Sequence, residues 1–411
     1  MTPTSQLSPS ALQQLLSNPL VLRPDNFTPP ERTPWGGNLI RPMKEGLGVS
    51  QNGGVIGEAW EISGHPKFPN RFGPNGEYQL DVIGREAPEL LYGPDNVKRF
   101  GTEAPFLTKL LNSGSWSVFR MQLKGIVSDV ALAGNNHDLH MELTELGKTN
   151  PDLANLHTRM LASNLSVQIH PDADYAKGNP KWHSKTEMWV VLAVEHGAGF
   201  YLGLKEGVTQ DQMNKALRTQ KDASIFLNFI AVQPGDVFFI PAGTPHAIGA
   251  GVLLLEQQET SETTFRYYDW GRTDAQGNPR ELHVKDAVAS THWQAPRGTA
   301  GVNAKLRYTP HVVSDGSGNA ARHEILAAEP LFSYDRVTLA SNQVFDGNAS
   351  QGMHGLTVTK GAVTVLDGKD IAVGTFQTGQ SIVIPAGMGA YHLISSAQQP
   401  AEVYIGRSDP R

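Results

Sequence analysis

The chain has 411 residues, a formal charge of −6 and no cysteine. That length exceeds one ordinary core and predicts two or three domain-sized units, while the mild acidity and the lack of a long basic block argue against a nucleic-acid partner or an anionic membrane surface. With no thiol, disulfides are excluded, and a transition metal would have to be held by His, carboxylate or amide groups.

The 42 glycines and 27 prolines follow no short period, which fits many short strands joined by tight turns. The first residues, MTPTSQLSPS, lack the basic-then-apolar signature of a signal peptide. No apolar run approaches the roughly 20 residues that span a bilayer. A soluble, cytoplasmic protein with no membrane partner is expected.

In chain order, SALQQLLSN predicts a short helix within residues 1–34, followed by a proline-rich approach. WGGNLI (35–40) reads as a turn and IGEAWEISGHP (56–66) as a strand. APFLTKLLN (104–112) is a second apolar run. Residues 113–163 change texture, with apolar positions three and four apart, and predict a partly helical insertion across a β-rich body. Strands are expected at Leu165–Ile169 and Glu187–Val194. GVTQDQMNKALRTQ (207–220) has Thr209 as N-cap with Gln212 three residues on, the pattern of a capped helix. From Phe226 onward strand and turn are expected nearly to the end.

One pattern occurs twice. GDVFFIPAGTPHAIG starts at Gly235 and GQSIVIPAGMGAYHL at Gly379. Each is a strand that starts at a glycine turn and stops at a proline. The interval is too long for a solenoid and suits two related β-barrels. His246 follows the first PAG turn by three residues. Ala390 stands at the matching place in the second copy, with His392 two positions further on, where in a strand it would occupy the same face displaced along it. One barrel is thus expected to have kept a metal ligand that the other lost, although glycine and proline are common enough in turns for chance recurrence.

Gln168 and His170 stand at i and i+2 and share a strand face. Glu187 opens the strand EMWVVLA, and His246 follows a third strand. Together they form a candidate metal site suited to zinc, and also to Fe(II) or Mn(II). Each also has an ordinary explanation: a strand amide, a turn histidine beside Pro171, a carboxylate paired with Lys185, a second turn histidine. His183 is a competing ligand in a proline-bounded loop. His137, His140 and Glu142 form another cluster, but no further partner lies at metal-site spacing and the segment falls in the insertion. Downstream, LLLEQQETSETTFRYYDWGR places Glu256 and Gln258 on one strand face, followed by Glu262, Arg266 and Arg272. Lys109, inside an apolar strand, must reach water, a carboxylate or a ligand.

WGGNLI, IGEAWEISGHP, PFLTKLL, LSVQIHPD, KTEMWVV, PAGTPHA and SETTFRYYDWGR, in this order, resemble the type I mannose-6-phosphate isomerases (phosphomannose isomerases), a metal-dependent family built from cupin barrels. The resemblance implies a mainly β bicupin, two jelly-roll β-barrels. Residues 1–300 would form the catalytic metal-binding unit, with its insertion at about 113–163, and residues 301–411 a degenerate second one. It implies Gln168, His170, Glu187 and His246 as ligands of one Zn2+ per chain, with Fe, Mn or Co as other candidates. Arg266 matches the family's catalytic arginine. Glu256 and Glu262 match acidic positions near the substrate, and Trp35, Lys109, Ser166 and Lys185 match pocket positions. Glu262 stands where the family often has Asp.

The expected reaction is isomerisation of mannose 6-phosphate to fructose 6-phosphate through a cis-enediol. Glu256 is the first candidate for the proton shuttle and Lys185 the second. Arg266 would stabilise the enediolate or place the sugar, and Lys109 and Arg272 are candidate phosphate contacts. Three other readings stay open: isomerisation of a related or unphosphorylated sugar, a cupin Fe(II) oxygenase built on His170, Glu187 and His246, and a non-catalytic sugar-binding bicupin.

Overall fold

The structure is a computed structural model that describes residues 7–51, 53–114, 145–146, 148–149, 164–195, 197–219, 222–273, 276–395 and 399–408. Nearly all of the expected insertion, with His137, His140 and Glu142, lies outside the described residues.

The chain is mainly β, as its turn-rich composition predicts. Two antiparallel sheets face each other in the first unit. One runs Arg307–Tyr308, Val237–Ile240, Glu187–Val194, Val252–Gln258, Leu107–Asn112, Glu58–Ile62. The other runs Phe265–Tyr268, Val167–Ile169, His246–Ile248, Gly199–Leu204, Leu227–Ala231. Most neighbours are not consecutive in sequence, the crossover connectivity of a double-sheet jelly roll. Trp189, Val191, Phe238 and Leu254 from the first sheet meet Phe200, Leu202 and Ile248 from the second in one buried cluster.

Both sheets are also covered on their outer faces, which explains strands such as EMWVVLAV that are apolar at nearly every position. Met188, Val190, Leu253 and Leu255 pack on Tyr334, Met353, Val383 and Tyr404 of the C-terminal part. Val167, Ile169, Ala247 and Phe265 are covered by Met213 and Leu217 of the Gln210–Arg218 helix and by Ala287 and Val288 of the Val284–Ala289 helix. The first of these helices has the expected capping box, with Gln212 N–H donating to Thr209 Oγ1 at 3.2 Å and Thr209 N–H to Gln212 Oε1 at 2.8 Å.

The C-terminal part holds a seven-stranded and a four-stranded sheet. Their shared interior is apolar, filled by Val337, Leu356, Val358, Val365, Phe376, Ile382, Leu393 and Val403 among others. The chain crosses between the two units at both ends. Leu20–Val21 pairs with Val383 and Ile382, and Arg307–Tyr308 pairs with Phe238 and Val237.

Two expectations are corrected. Strand and turn do not persist after Phe226, because Val284–Ala289 and Gly298–Lys305 are helical. The second PAG turn does not lead to a displaced inward histidine. It forms a 3-10 turn, Ala386–Met388, and Gly389 at φ 73° then resets the strand phase. Tyr391 and Leu393 point inward, while His392 faces outward, its Nδ1 2.6 Å from Asp346 Oδ1. No described helix is long and apolar enough to cross a membrane.

Candidate metal centre and substrate cavity

Strand register creates the site. His246 and Arg266 are both direct cross-strand partners of Gln168. Directly opposed residues point to the same face, so Arg266, Gln168 and His246 form a row across one sheet. In the facing sheet, Glu256 is opposed by Trp189 on one side and Lys109 on the other, and Lys109 by Trp60. Glu187 and Gln258 oppose each other two positions along, on the same face. The two rows look at each other across the interior.

His170, Glu187 and His246 bring ligand atoms within 4.8 Å of one another, and all three are buried. His170 Nε2 lies 3.0 Å from Glu187 Oε1, and His246 Nε2 lies 3.8 Å from Glu187 Oε2. Each imidazole has its Nδ1 against a backbone carbonyl, Thr263 O at 2.7 Å for His170 and Thr244 O at 2.9 Å for His246. Donation to those carbonyls places the proton on Nδ1 and leaves Nε2 as a lone-pair donor, the outer support typical of metal-binding histidines. Burial, then the nearby Lys185 ammonium, brings the His170 pKa down to about 4. Burial also lowers that of His246. Both rings are therefore neutral at neutral pH, the form that ligates.

Glu187 is held well below the usual carboxylate range. Burial opposes its charge, but Lys185, His170 and His246 outweigh that cost. Trp189 Nε1 donates to its Oε2 at 3.0 Å. His170 Nε2 and Glu187 Oε1 are buried without an aligned hydrogen bond among the described residues. A divalent cation suits this donor set of two imidazoles and a carboxylate. Gln168 Nε2 is 3.4 Å from His246 Nε2, and Gln168 Oε1 accepts from Ser166 Oγ at 3.1 Å. Ligation by this amide would use its oxygen and requires the group turned end for end.

Above the triad lies a cavity of about 270 Å³ whose lining includes Trp35, Lys109, Ser166, Gln168, Lys185, Glu256, Glu262 and Arg266. The three ligands do not line it themselves. Gln168 and Lys185 do, and they touch His246 and Glu187. Lys185 Nζ is 2.5 Å from Glu187 Oε1 and 3.7 Å from Glu256 Oε1. Lys109 Nζ is 3.0 Å from Glu256 Oε1, 4.0 Å from Glu58 Oε1 and 4.8 Å from the centre of the Trp60 ring. Acid and base thus alternate from Glu58 to Glu187. Burial, then Glu187, raises the Glu256 pKa in spite of Lys109 and Lys185. On Lys109, burial disfavours the charge, but Glu256, Glu58 and Glu187 win and raise its pKa.

Two of the sequence candidates sit differently from the rest. Arg272 is not in the cavity lining. Its guanidinium pairs with Asp269 and donates to Asn164 O at 2.6 Å. Arg280 takes the lining position, bound to both Asp269 oxygens at 2.6 and 2.7 Å. His183 lies outside the metal group and lines a neighbouring cavity, which shares Ser261, Glu262 and Thr264 with the first. Glu262 is tied to Lys67 across that shared wall. Arg266 Nη1 donates to Glu281 O at 2.8 Å, and burial, then Arg280, brings its pKa down to about 10. Glu58, Trp60, Arg32 and Arg280 are the site residues that sequence reasoning missed. The i, i+2 spacing of Glu58 and Trp60 marks a common face, but only the strand order sets that face beside Lys109.

No protein-family model matches the chain. Over 257 residues it is 31% identical to the mannose-6-phosphate isomerase of Streptococcus mutans, a stretch covering 62% of this chain and 63% of that protein. The aligned stretch thus spans somewhat less than two thirds of that relative. The mannose 6-phosphate isomerase structure from Bacillus subtilis superposes with a TM-score of 0.67 over 95% of this chain and 99% of the other, at 22% identity. A zinc-bound mannose 6-phosphate isomerase structure superposes with a TM-score of 0.61 over 95% and 99%, at 15% identity. The chain is therefore similar in sequence to mannose-6-phosphate isomerases over three fifths of its length and has their fold along nearly all of it.

Proposed function

We propose that the chain is a zinc-dependent aldose–ketose isomerase that interconverts mannose 6-phosphate and fructose 6-phosphate in the cytoplasm. The observation that carries this reading is the buried His170–Glu187–His246 group beside a buried Lys–Glu–Lys series at the floor of a sugar-sized cavity. Similarity to the isomerases of Streptococcus mutans and Bacillus subtilis supports the choice of substrate.

His170, Glu187 and His246 would hold the ion, with Gln168 as a fourth donor. A divalent ion there supplies Lewis acidity toward the open-chain carbonyl. Glu256 takes the proton from C2 and returns it to C1. Its raised pKa moves it toward the range in which a carboxylate exchanges protons near neutrality, and Lys109 keeps it ionised between transfers. Lys185 balances Glu187 and Glu256 and is the second candidate for the shuttle. Arg266, in the same row as Gln168 and His246, stabilises negative charge developing on the sugar oxygens.

The phosphate assignment departs from the sequence expectation. Lys109 is committed to two carboxylates, and Arg272 is turned out of the cavity. Arg32 lines the cavity with its guanidinium 5.0 Å over the Phe68 ring and has no carboxylate within ion-pair distance among the described residues. We assign the phosphate to Arg32, with Arg280, which also lines the cavity, as the second cation. The test is turnover of mannose 6-phosphate and of free mannose by metal-loaded and chelated protein. Metal-dependent turnover of the phosphate ester is expected. Zinc-loaded protein that turns over neither sugar would overturn the reading.

A further inference from the structure

Lys185 is a long, flexible side chain whose ammonium must sit between two carboxylates. Both Lys185 and Glu187 are buried. A free lysine side chain carries about 2 kcal/mol of rotamer entropy, so the position of Nζ depends on how firmly its backbone is held. Lys185 lies just before the Glu187–Val194 strand, in the SKT stretch, where the sheet ladder does not yet fix the chain.

Glu259 holds that stretch from both sides. One carboxylate oxygen accepts from Ser184 Oγ at 2.9 Å and the other from Thr186 N–H at 2.7 Å. The Glu259 N–H donates to Thr186 O at 3.1 Å. Three hydrogen bonds thus grip the two residues that flank Lys185, two of them to an ionised acceptor and correspondingly strong. The Lys185 N–H itself donates to Pro171 O at 3.3 Å, beside His170. The same 259–263 segment presents Thr263 O to His170 and receives the His183 N–H on Thr263 Oγ1 at 3.0 Å.

We propose that Glu259 is the positioning residue of Lys185, setting its ammonium between Glu187 and Glu256. The proposal rests on the isomerase reading for its kinetic consequence but not for its geometry. Glu259 does not line the cavity, so it acts through Lys185. Without the carboxylate, Thr186 N–H loses its acceptor and Ser184 swings free. Lys185 then leaves Glu187 and Glu256 without the ammonium they share, and Glu256 keeps only its pair with Lys109.

The test uses the full, zinc-loaded chain in two measurements. The first is competitive acetylation of lysines, read by mass spectrometry without substrate. In the wild type, Lys185 should label far more slowly than Lys67, whose side chain is 68% exposed. Glu259→Ala should speed labelling of Lys185 about tenfold or more relative to Lys109, as expected for loss of a support shell. Glu259→Gln keeps an oxygen for Thr186 N–H and a polar partner for Ser184, and should stay near wild type. The second is turnover, where Glu259→Ala should lower kcat about 10–100-fold with KM little changed, and Glu259→Gln should restore most of it. If Glu259→Ala does not fold, Ser184→Ala removes one of the contacts and should raise Lys185 labelling in the same sense. Labelling of Lys185 that is unchanged in a destabilised variant would reduce Glu259 to a structural residue and overturn the proposal. A wild type without isomerase activity would sink the isomerase reading, while the labelling result would still decide the role of Glu259.

Discussion

Lys109 Nζ and Glu256 Oε1 lie 3.0 Å apart on directly opposed strand positions, both almost wholly buried. The lysine is what allows a carboxylate to stay charged in that interior, because burial and Glu187 both push the Glu256 pKa up. The acid limb of kcat should therefore lie above the ordinary carboxylate range. A base is active only when deprotonated, so activity should fall as pH drops through that raised pKa. Lys109→Met removes an opposing cation and should move the limb to still higher pH. Glu256→Gln should lower kcat by about 10²–10⁴-fold, the usual worth of a positioned base, with the fold retained by circular dichroism. A pH–rate profile that does not move in Lys109→Met would remove Glu256 from the role of base.

Zinc retention should follow the ligand protonation states. Burial, then Lys185, brings the His170 pKa down to about 4, burial lowers that of His246, and Lys185 and the two imidazoles hold Glu187 well below its ordinary value in spite of burial, so acid competes with the metal for this set less than for free ligands. Metal content after dialysis should hold at pH 6 and fall steeply around pH 4, because protons then compete for Nε2 and the carboxylate. His246→Ala should lose most of its zinc at pH 7, whereas His183→Ala should keep it. A His183→Ala protein empty of metal would show that the competing histidine is the true ligand.

Strand alternation and the PAG turn made the metal group readable before any coordinates, because they act over a few residues. His170, Glu187 and His246 needed only a period of two and a proline stop. The partners of Lys109 were not readable, since Glu256 and Glu58 reach it through strand order rather than through neighbouring sequence. Arg272 misled for a local reason. Trp270 and Gly271 both adopt positive φ, 57° and 68°, and that tight turn folds Arg272 back onto Asp269. Left-handed tryptophan is rare, so DWGR gave no sign of it. Gly389 had the same effect on the phase of His392.

Asp269 joins Arg272 to Arg280, and the two arginines should separate by assay. Arg280 lines the cavity, so Arg280→Ala should raise KM for the phosphorylated sugar more than for free mannose. Arg272→Ala should leave that ratio unchanged and lower stability instead. Burial opposes the charge of Asp269, but hydrogen bonds from Arg280 and Arg272 hold its pKa below the usual value. A depressed carboxyl stabilises the fold above its unfolded pKa, near 4, and loses that contribution as pH falls through the lower folded value. Asp269→Asn should thus cost roughly 3 kcal/mol at pH 7 by removing the carboxylate that the two guanidinium groups share, with the difference from wild type shrinking below pH 4. Urea titrations at pH 7 and pH 3.5 measure both.

Lys44 supplies the last prediction. Its side chain is fully buried, and Nζ lies 2.6 Å from Glu61 Oε1. The same Nζ donates to Gly379 O at 2.7 Å, and Ser381 Oγ donates to Glu61 Oε2 at 2.6 Å. Gly379 and Ser381 belong to the C-terminal copy of the repeated pattern, so this network joins the edge strand of the metal-bearing unit to the second barrel. Removing one member strands the other charge in the interior, which costs about 3–5 kcal/mol. Lys44→Met should lower the unfolding free energy from urea titration by that amount, and Glu61→Leu should do the same. The double variant leaves no buried charge and should recover much of the loss. Full additivity of the two single variants in that cycle would mean that Lys44 and Glu61 do not act as a pair.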